Sequence, residues 1–185
     1  CQGRWTACCA MPMGVCLEKR GGGARPLPIL RVLRRIALKA FTACYADLMA
    51  GAVGPRQFGV GGTGGTDTLV KLMKVLIAED PARCVVAVDI ANAFCSIAWA
   101  SCLQAALAYA PVLAPLLSRL MAQEMINHVA VGGARGVMVQ TDGIPQGCPA
   151  NVASSALGMR LLSEQMVDAF AAAGIQAELL TCHGG

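Results

Sequence analysis

The chain lacks the residue spacing of a zinc site. Its 185 residues include ten cysteines but no Cys-x-x-Cys pair, and the two histidines, His128 and His183, stand alone. Structural zinc sites need closely spaced cysteines and histidines, so the pattern does not predict a zinc finger. Several cysteines lie instead within apolar strand or helix patterns, where cysteine acts as a small buried hydrophobe.

The chain also does not open with the charged residues and following apolar run of a signal peptide, so nothing in the sequence indicates secretion. We therefore expect reduced cysteines and an intracellular location, nuclear or cytoplasmic. The chain begins with Cys1 and stops at Gly185 just after an apolar segment, so we also expect a piece of a longer product. Its length suits one domain, or one and a part.

Charged residues are absent from positions 90 to 118, a stretch long enough to span a bilayer. Asn92, Ser96 and Gln104 interrupt it with polar groups, and Pro111 divides it into pieces too short to cross alone. We therefore expect no membrane span. A small membrane-associated helical protein is one rival interpretation of this stretch.

Acidic residues are scarce near the N-terminus. Residues 1–39 carry eight basic side chains against one acidic residue, Glu18, for a net charge of +7, while the remainder carries −3. A basic segment suits a polyanion such as nucleic acid, or a triphosphate. The alternative is a solvated helix face without a ligand.

The apolar pattern predicts a mixture of helices and short strands. A helical period starts at Leu30 and puts Arg31, Arg34, Arg35 and Lys39 on the outward face. The β-branched run at 84–90 predicts a buried strand. The α+β class is favoured because the chain mixes helices, strands and a hairpin without a βαβ series. Further helices are predicted after a Thr66 or Asp67 cap and near 97–109, 113–126 and 150–173. A hairpin is predicted over 128–139, and a strand over 175–182.

A glycine-rich segment, residues 59–66, fits the spacing of two nucleotide-binding loops. Both loops need an apolar strand directly before them, and residues 54–57 are not one. Gly65 also stands where a phosphate-binding loop has its lysine. We therefore expect a flexible turn before a capped helix.

Asp89 is the most informative residue, because it ends the apolar run that begins at Cys84. A carboxylate at the exit of a buried strand is costly unless it has a partner, and a metal ion would be such a partner. The alternative is a helix N-cap, a position that aspartate favours. A second unusual loop covers residues 143–149, where two glycines and two prolines hold Gln146 at the tip of a tight turn.

These segments together resemble the reverse transcriptase family, most closely the polymerases of non-LTR retroelements. Residues 89–94 resemble the family's first palm motif, and residues 143–149 resemble its second. Residues 25–29, followed by Lys39, resemble the fingers segment, and residues 57–59 resemble the element between fingers and palm. The four motifs occur in the family's order and cover most of the chain.

The resemblance implies an RNA-directed DNA polymerase that uses Mg²⁺, deoxynucleoside triphosphates, an RNA template and a DNA primer. Asp89 would hold two magnesium ions, and Phe94 would select deoxynucleotides by clashing with a 2′-hydroxyl. Arg25, with Lys19 or Arg20 upstream, would neutralise the triphosphate.

The template side of the implied site is a loop and a basic segment. Gln146 and Gly147 would press on the nascent base pair and the template. The remaining basic residues near the N-terminus would follow the template backbone without reading its sequence.

The resemblance also implies a partial right-hand architecture. Fingers would occupy about residues 25–80 and a partial palm about 81–185, with a small antiparallel palm sheet flanked by helices after an irregular segment, 1–24. This chain departs from the family at Asn151-Val152, where a Ser-Pro pair is usual.

The family's paired aspartates would fall beyond Cys182, and neither Asp142 nor Asp168 is placed to replace them. We therefore expect that this chain by itself does not polymerise. A rival interpretation is a catalytically dead palm-like module that only binds nucleic acid.

Overall fold

The structure is a computed structural model that describes residues 13–18, 24–90, 93–121, 125–131, 134–144 and 147–182. The strands are β1 Met13–Glu18, β2 Ala24–Ile29, β3 Met125–Val131 and β4 Ala134–Gln140. The α-helices are α1 Val32–Cys44, α2 Ala46–Val53, α3 Gly65–Glu79, α4 Ala93–Ser96, α5 Trp99–Tyr109, α6 Ala114–Met121 and α7 Asn151–Ala172. A 3-10 turn, Pro111–Leu113, joins α5 to α6.

The four strands form one mixed sheet in the order β2-β1-β3-β4. The outer pairs are antiparallel, with Met13 opposite Ile29 and Met125 opposite Gln140. The central pair, β1 with β3, is parallel and sets Met13 opposite His128. The predicted hairpin is thus confirmed as β3 and β4, and it extends beyond the predicted residues 128–139 at both ends.

The predicted fold, an α+β right-hand polymerase with a small antiparallel palm sheet flanked by helices, is wrong. Helices supply most of the regular structure in the described chain. The expected palm strand, residues 84–90, has no regular secondary structure and is exposed throughout. A strand needs a partner for its backbone hydrogen bonds, and this run finds none within the described residues. The strands that do form come from other segments and include a parallel pair.

Other local predictions also need correction. Residues 13–18 form β1, so the N-terminal segment is not irregular throughout. The helix predicted near 113–126 ends at Met121, and strand β3 has begun by Met125. The strand predicted over 175–182 is absent; its residue Thr181 makes only an isolated bridge to Gln57.

The core lies where α5 packs against α7. Gly158 of α7 makes this contact close, because a Cβ there would lie 2.7 Å from Ile97 Cδ1 and 3.0 Å from Cys102 Sγ. Burial raises the pKa of the Cys102 thiol to about 12, so it stays neutral and packs as an apolar group. The largest fully buried side chains are Leu38, Leu113, Leu117, Leu157 and Cys102.

Helix α1 turns a different face to the core than its apolar pattern predicts. Arg34 is only 4% exposed, whereas Leu33 and Ile36 are exposed. Burial lowers the pKa of the Arg34 guanidinium, and the nearby Cys148 opposes that shift. The prediction that the basic residues of this helix point outward is therefore wrong for Arg34 and confirmed for Arg31, Arg35 and Lys39.

The glycine-rich segment leads into α3 as a turn, as predicted. The helix begins after Gly64, which adopts a left-handed φ of 74°, rather than at a Thr66 or Asp67 side-chain cap. Gly65 lies so close to Phe58 that a Cβ would meet its carbonyl oxygen at 1.5 Å.

Among the described helices, none by itself is long and apolar enough to cross a membrane. Helices α1 and α2 together have the length and composition of a span, but the chain bends by 70° between them.

Candidate functional site

Two predicted motifs, distant in sequence, contact each other in the structure. The backbone N–H of Ile144 donates to the carbonyl of Phe94 at 2.6 Å, and the N–H of Gly143 donates to the carbonyl of Ile97 at 3.1 Å. These bonds join the end of the first motif to the start of the second. The structure thereby places Phe94 beside the loop that carries Gly147.

Gly143 permits this contact because it has no side chain. Its φ is 76°, in the left-handed region that favours glycine. A Cβ at this position would lie 2.3 Å from the carbonyl oxygen of Cys95. The glycine of the second motif is therefore required for the close approach of the two backbones.

Asp142 holds the same junction from the loop side. Its Oδ1 accepts the backbone N–H of Trp99 at 2.7 Å and that of Gly143 at 3.0 Å. The first bond satisfies an N–H at the start of α5, a position where a carboxylate is favourable. The Trp99 indole N–H in turn donates to the carbonyl of Gly143. Asp142 thus acts as a structural cap.

Asp89 lies outside this junction. It belongs to the exposed segment that precedes α4 and has no hydrogen bond or ion pair with another described residue. The described residues contain no group of three or more histidine, cysteine, aspartate or glutamate side chains that could hold a metal ion. Within the part of the chain that the structure describes, Asp89 is therefore an isolated carboxylate.

The structure describes three of the other predicted site residues, Arg25, Phe94 and Gly147. Phe94 is half-buried in α4, and Gly147 is exposed in the turn before α7. Arg25 lies in β2, opposite Leu17 of β1. Lys19, Arg20 and Gln146 fall outside the described residues.

A row of cations begins at Arg31, which directly precedes α1, and continues along the exposed surface of that helix. Arg31 and Arg35 are four residues apart, Lys39 follows after four more, and all three are exposed. Residues spaced by four lie on one side of a helix, roughly one turn apart. The row therefore presents three positive charges along one line, which suits the phosphates of a nucleic-acid strand.

Sequence reasoning missed a polar cluster centred on Arg160 of α7. Its Nη1 donates to the carbonyl of Ala52 at 2.6 Å, its Nε donates to Glu164 at 2.9 Å, and its guanidinium carbon lies 3.6 Å from the centre of the Tyr109 ring. Arg160 therefore joins α2, α5 and α7. The one signal in the sequence is the four-residue spacing of Arg160 and Glu164 within a predicted helix.

Tyr109 and Glu164 complete this cluster. The phenol donates a hydrogen bond to the carboxylate, which raises the pKa of Tyr109 and lowers the pKa of Glu164. Both shifts keep Tyr109 protonated and Glu164 ionised over the neutral range.

A groove of about 310 Å³ lies beside the cluster. One wall contains Gln57 of the motif at residues 57–59, and the Gln57 Oε1 accepts the N–H of Gly59 at 2.7 Å. Phe58 N–H donates to the carbonyl of Thr181 at 2.8 Å, so the motif is held against the last described segment. The charged residues that line the groove include the pair Arg160–Glu164 and also Arg56, which pairs with Glu178.

No protein-family model matches the chain, and no curated protein matches it at a significant level.

Proposed function

We propose that the chain is a part of an RNA-directed DNA polymerase of a retroelement that binds the nucleic-acid substrate. The observation that carries the proposal is the contact between the two motifs, through Phe94 with Ile144 and Ile97 with Gly143. A polymerase needs the residue that checks the incoming sugar to lie close to the loop that contacts the template. The backbone contact between Phe94 and Ile144, fifty positions apart, supports the proposal.

The row of cations on α1 supports the same proposal. Arg31, Arg35 and Lys39 are all exposed, so their charged groups can reach the phosphates of a bound strand. Contacts between such cations and phosphates provide affinity without reading sequence, as template binding requires.

The described residues do not fit a centre with two magnesium ions. Hard divalent cations need several oxygen ligands, and Asp89 supplies the carboxylate of one residue alone. Substrate binding is therefore the role that we propose for this chain.

Removal of the cation row is expected to weaken RNA binding and its dependence on salt. In the triple variant Arg31→Gln, Arg35→Gln, Lys39→Gln, the slope of log affinity against log salt for single-stranded RNA should fall by about 2, because three phosphate contacts are lost. Fluorescence anisotropy over a salt series measures this slope.

The matched control removes three exposed cations elsewhere, Lys71, Lys74 and Arg119. Equal slopes for both triple variants would show that the binding depends on net charge and not on α1.

The chain by itself is expected to add no deoxynucleotide to a primer on an RNA template with magnesium, because Asp89 has no carboxylate partner among the described residues. Primer extension followed on a sequencing gel checks this. Measurable extension that disappears in Asp89→Asn would contradict the expectation and identify Asp89 as catalytic.

A catalytically dead nucleic-acid-binding module is the second candidate, favoured by the isolation of Asp89. In such a module, Asp89→Asn should leave binding to a primer–template unchanged with or without magnesium. In a polymerase fragment, magnesium should strengthen this binding, and Asp89→Asn should abolish the increase.

A further inference from the structure

The apolar run before α4 leaves its side chains uncovered. We call residues 83–90 the valine segment. Val86 and Val88 are 78% and 77% exposed, and Val85 is also largely exposed. Contiguous exposed aliphatic side chains of this kind are unfavourable in water and mark a surface that another chain covers.

The backbone of the valine segment is open as well. The N–H and C=O groups of residues 84–89 make no hydrogen bond to the described residues. A segment rich in β-branched residues with free backbone groups has the chemistry of an unpaired strand. The partner that pairs with this segment should therefore be another strand.

The charges at the two ends of the segment indicate which strand fits. If two copies pair antiparallel with Val86 opposite Val86, then Arg83 of one copy lies opposite Asp89 of the other, at both ends of the ribbon. Cys84 then lies opposite Val88, and Val85 lies opposite Ala87. Opposite charges and apolar pairs that face each other across antiparallel strands are stabilising.

This register also separates the two faces of the ribbon. Side chains alternate along a strand, so Cys84, Val86 and Val88 of both copies share an apolar face. Arg83 and Asp89 lie on the other face. Among the described residues, the Arg83 side chain forms an ion pair with Asp80 at 3.7 Å, and this exposed pair is readily exchanged.

We propose that the valine segment is a self-complementary strand that joins two copies of this chain into an antiparallel dimer. Two strands alone make a marginal ribbon, so the dimer forms at high protein concentration and dissociates on dilution. Pairing engages the carboxylate of Asp89, so dimer formation and binding of a cation by Asp89 exclude each other. The proposal does not depend on the polymerase assignment.

Charge reversal tests the register. Arg83→Asp or Asp89→Arg alone places like charges opposite each other at both ends, and each should raise the dissociation constant by about tenfold or more. The double variant restores both pairs and should recover most of the wild-type affinity. Sedimentation velocity over a concentration series measures the dissociation constant. A wild-type chain that stays monomeric, or a dimer that both single variants leave unchanged, would overturn the proposal.

A cross-linking variant tests the same register without relying on equilibrium affinity. Val86→Cys places two introduced thiols opposite each other in the dimer. Mild oxidation should join these thiols in a disulfide between the two copies, identified by mass spectrometry of the linked peptides. Val75→Cys, at an exposed valine of α3, is the control. Equal cross-link yields in the two variants would overturn the proposal.

Discussion

Replacing Gly143 by alanine is expected to lower the free energy of unfolding by about 3 kcal/mol. The φ of 76° disfavours any residue with a Cβ, and the new methyl group would lie 2.3 Å from the Cys95 carbonyl oxygen. Because this atom belongs to the backbone, the loop has to move away from α4. Urea unfolding followed by circular dichroism measures the loss of stability.

The same substitution should change the environment of Trp99, whose indole N–H donates to the carbonyl of Gly143. Its fluorescence should therefore shift in the folded variant. Gly62→Ala is the matched control, because a Cβ there meets nothing within 4 Å and no left-handed φ is involved. A stability change in Gly143→Ala as small as in Gly62→Ala would show that the two motifs do not make this contact in solution.

Replacing Leu157 by alanine is expected to cost about 3 kcal/mol of unfolding free energy. Leu157 lies on α7 in the core and is only 1% exposed, so the substitution removes buried methyl groups and leaves a cavity. Denaturant unfolding, fitted to a two-state transition, gives the change.

Leu162→Ala provides the comparison on the same helix. Its side chain is 42% exposed, and its replacement should cost less than about 1 kcal/mol. Similar losses for the two variants would contradict the placement of the α7 core face.

The sequence predicted the helices better than the strands. The patterns that predicted α5 and α7 are confirmed nearly to the residue, because helical hydrogen bonds link residues four apart and need no distant partner. The run at 84–90 had an equally clear pattern for a strand and forms none. Strand pairing depends on a second segment, and the described chain supplies none there.

For α1, the sequence predicted the helix, but tertiary packing decided which of its faces is buried. Its periodicity established a helix, but apolar residues occur on more than one side of it. Packing placed Leu30, Arg34 and Leu38 inside and left Leu33 and Ile36 outside. A guanidinium can be buried when its stem packs and its head finds partners, and the sequence alone does not reveal such partners.

For the candidate site, the sequence by itself determined which residues have unusual chemistry: Asp89 after an apolar run, the glycine loop at 143–149, and the cations of the N-terminal third. The tertiary structure decided which of them meet. It brought Phe94 and Ile97 to Gly143 and Ile144 and made Asp142 the cap of α5. It left Asp89 exposed and without a partner among the described residues. The physical reason is that spacing along the chain limits local geometry, whereas contact between distant segments depends on how whole helices pack.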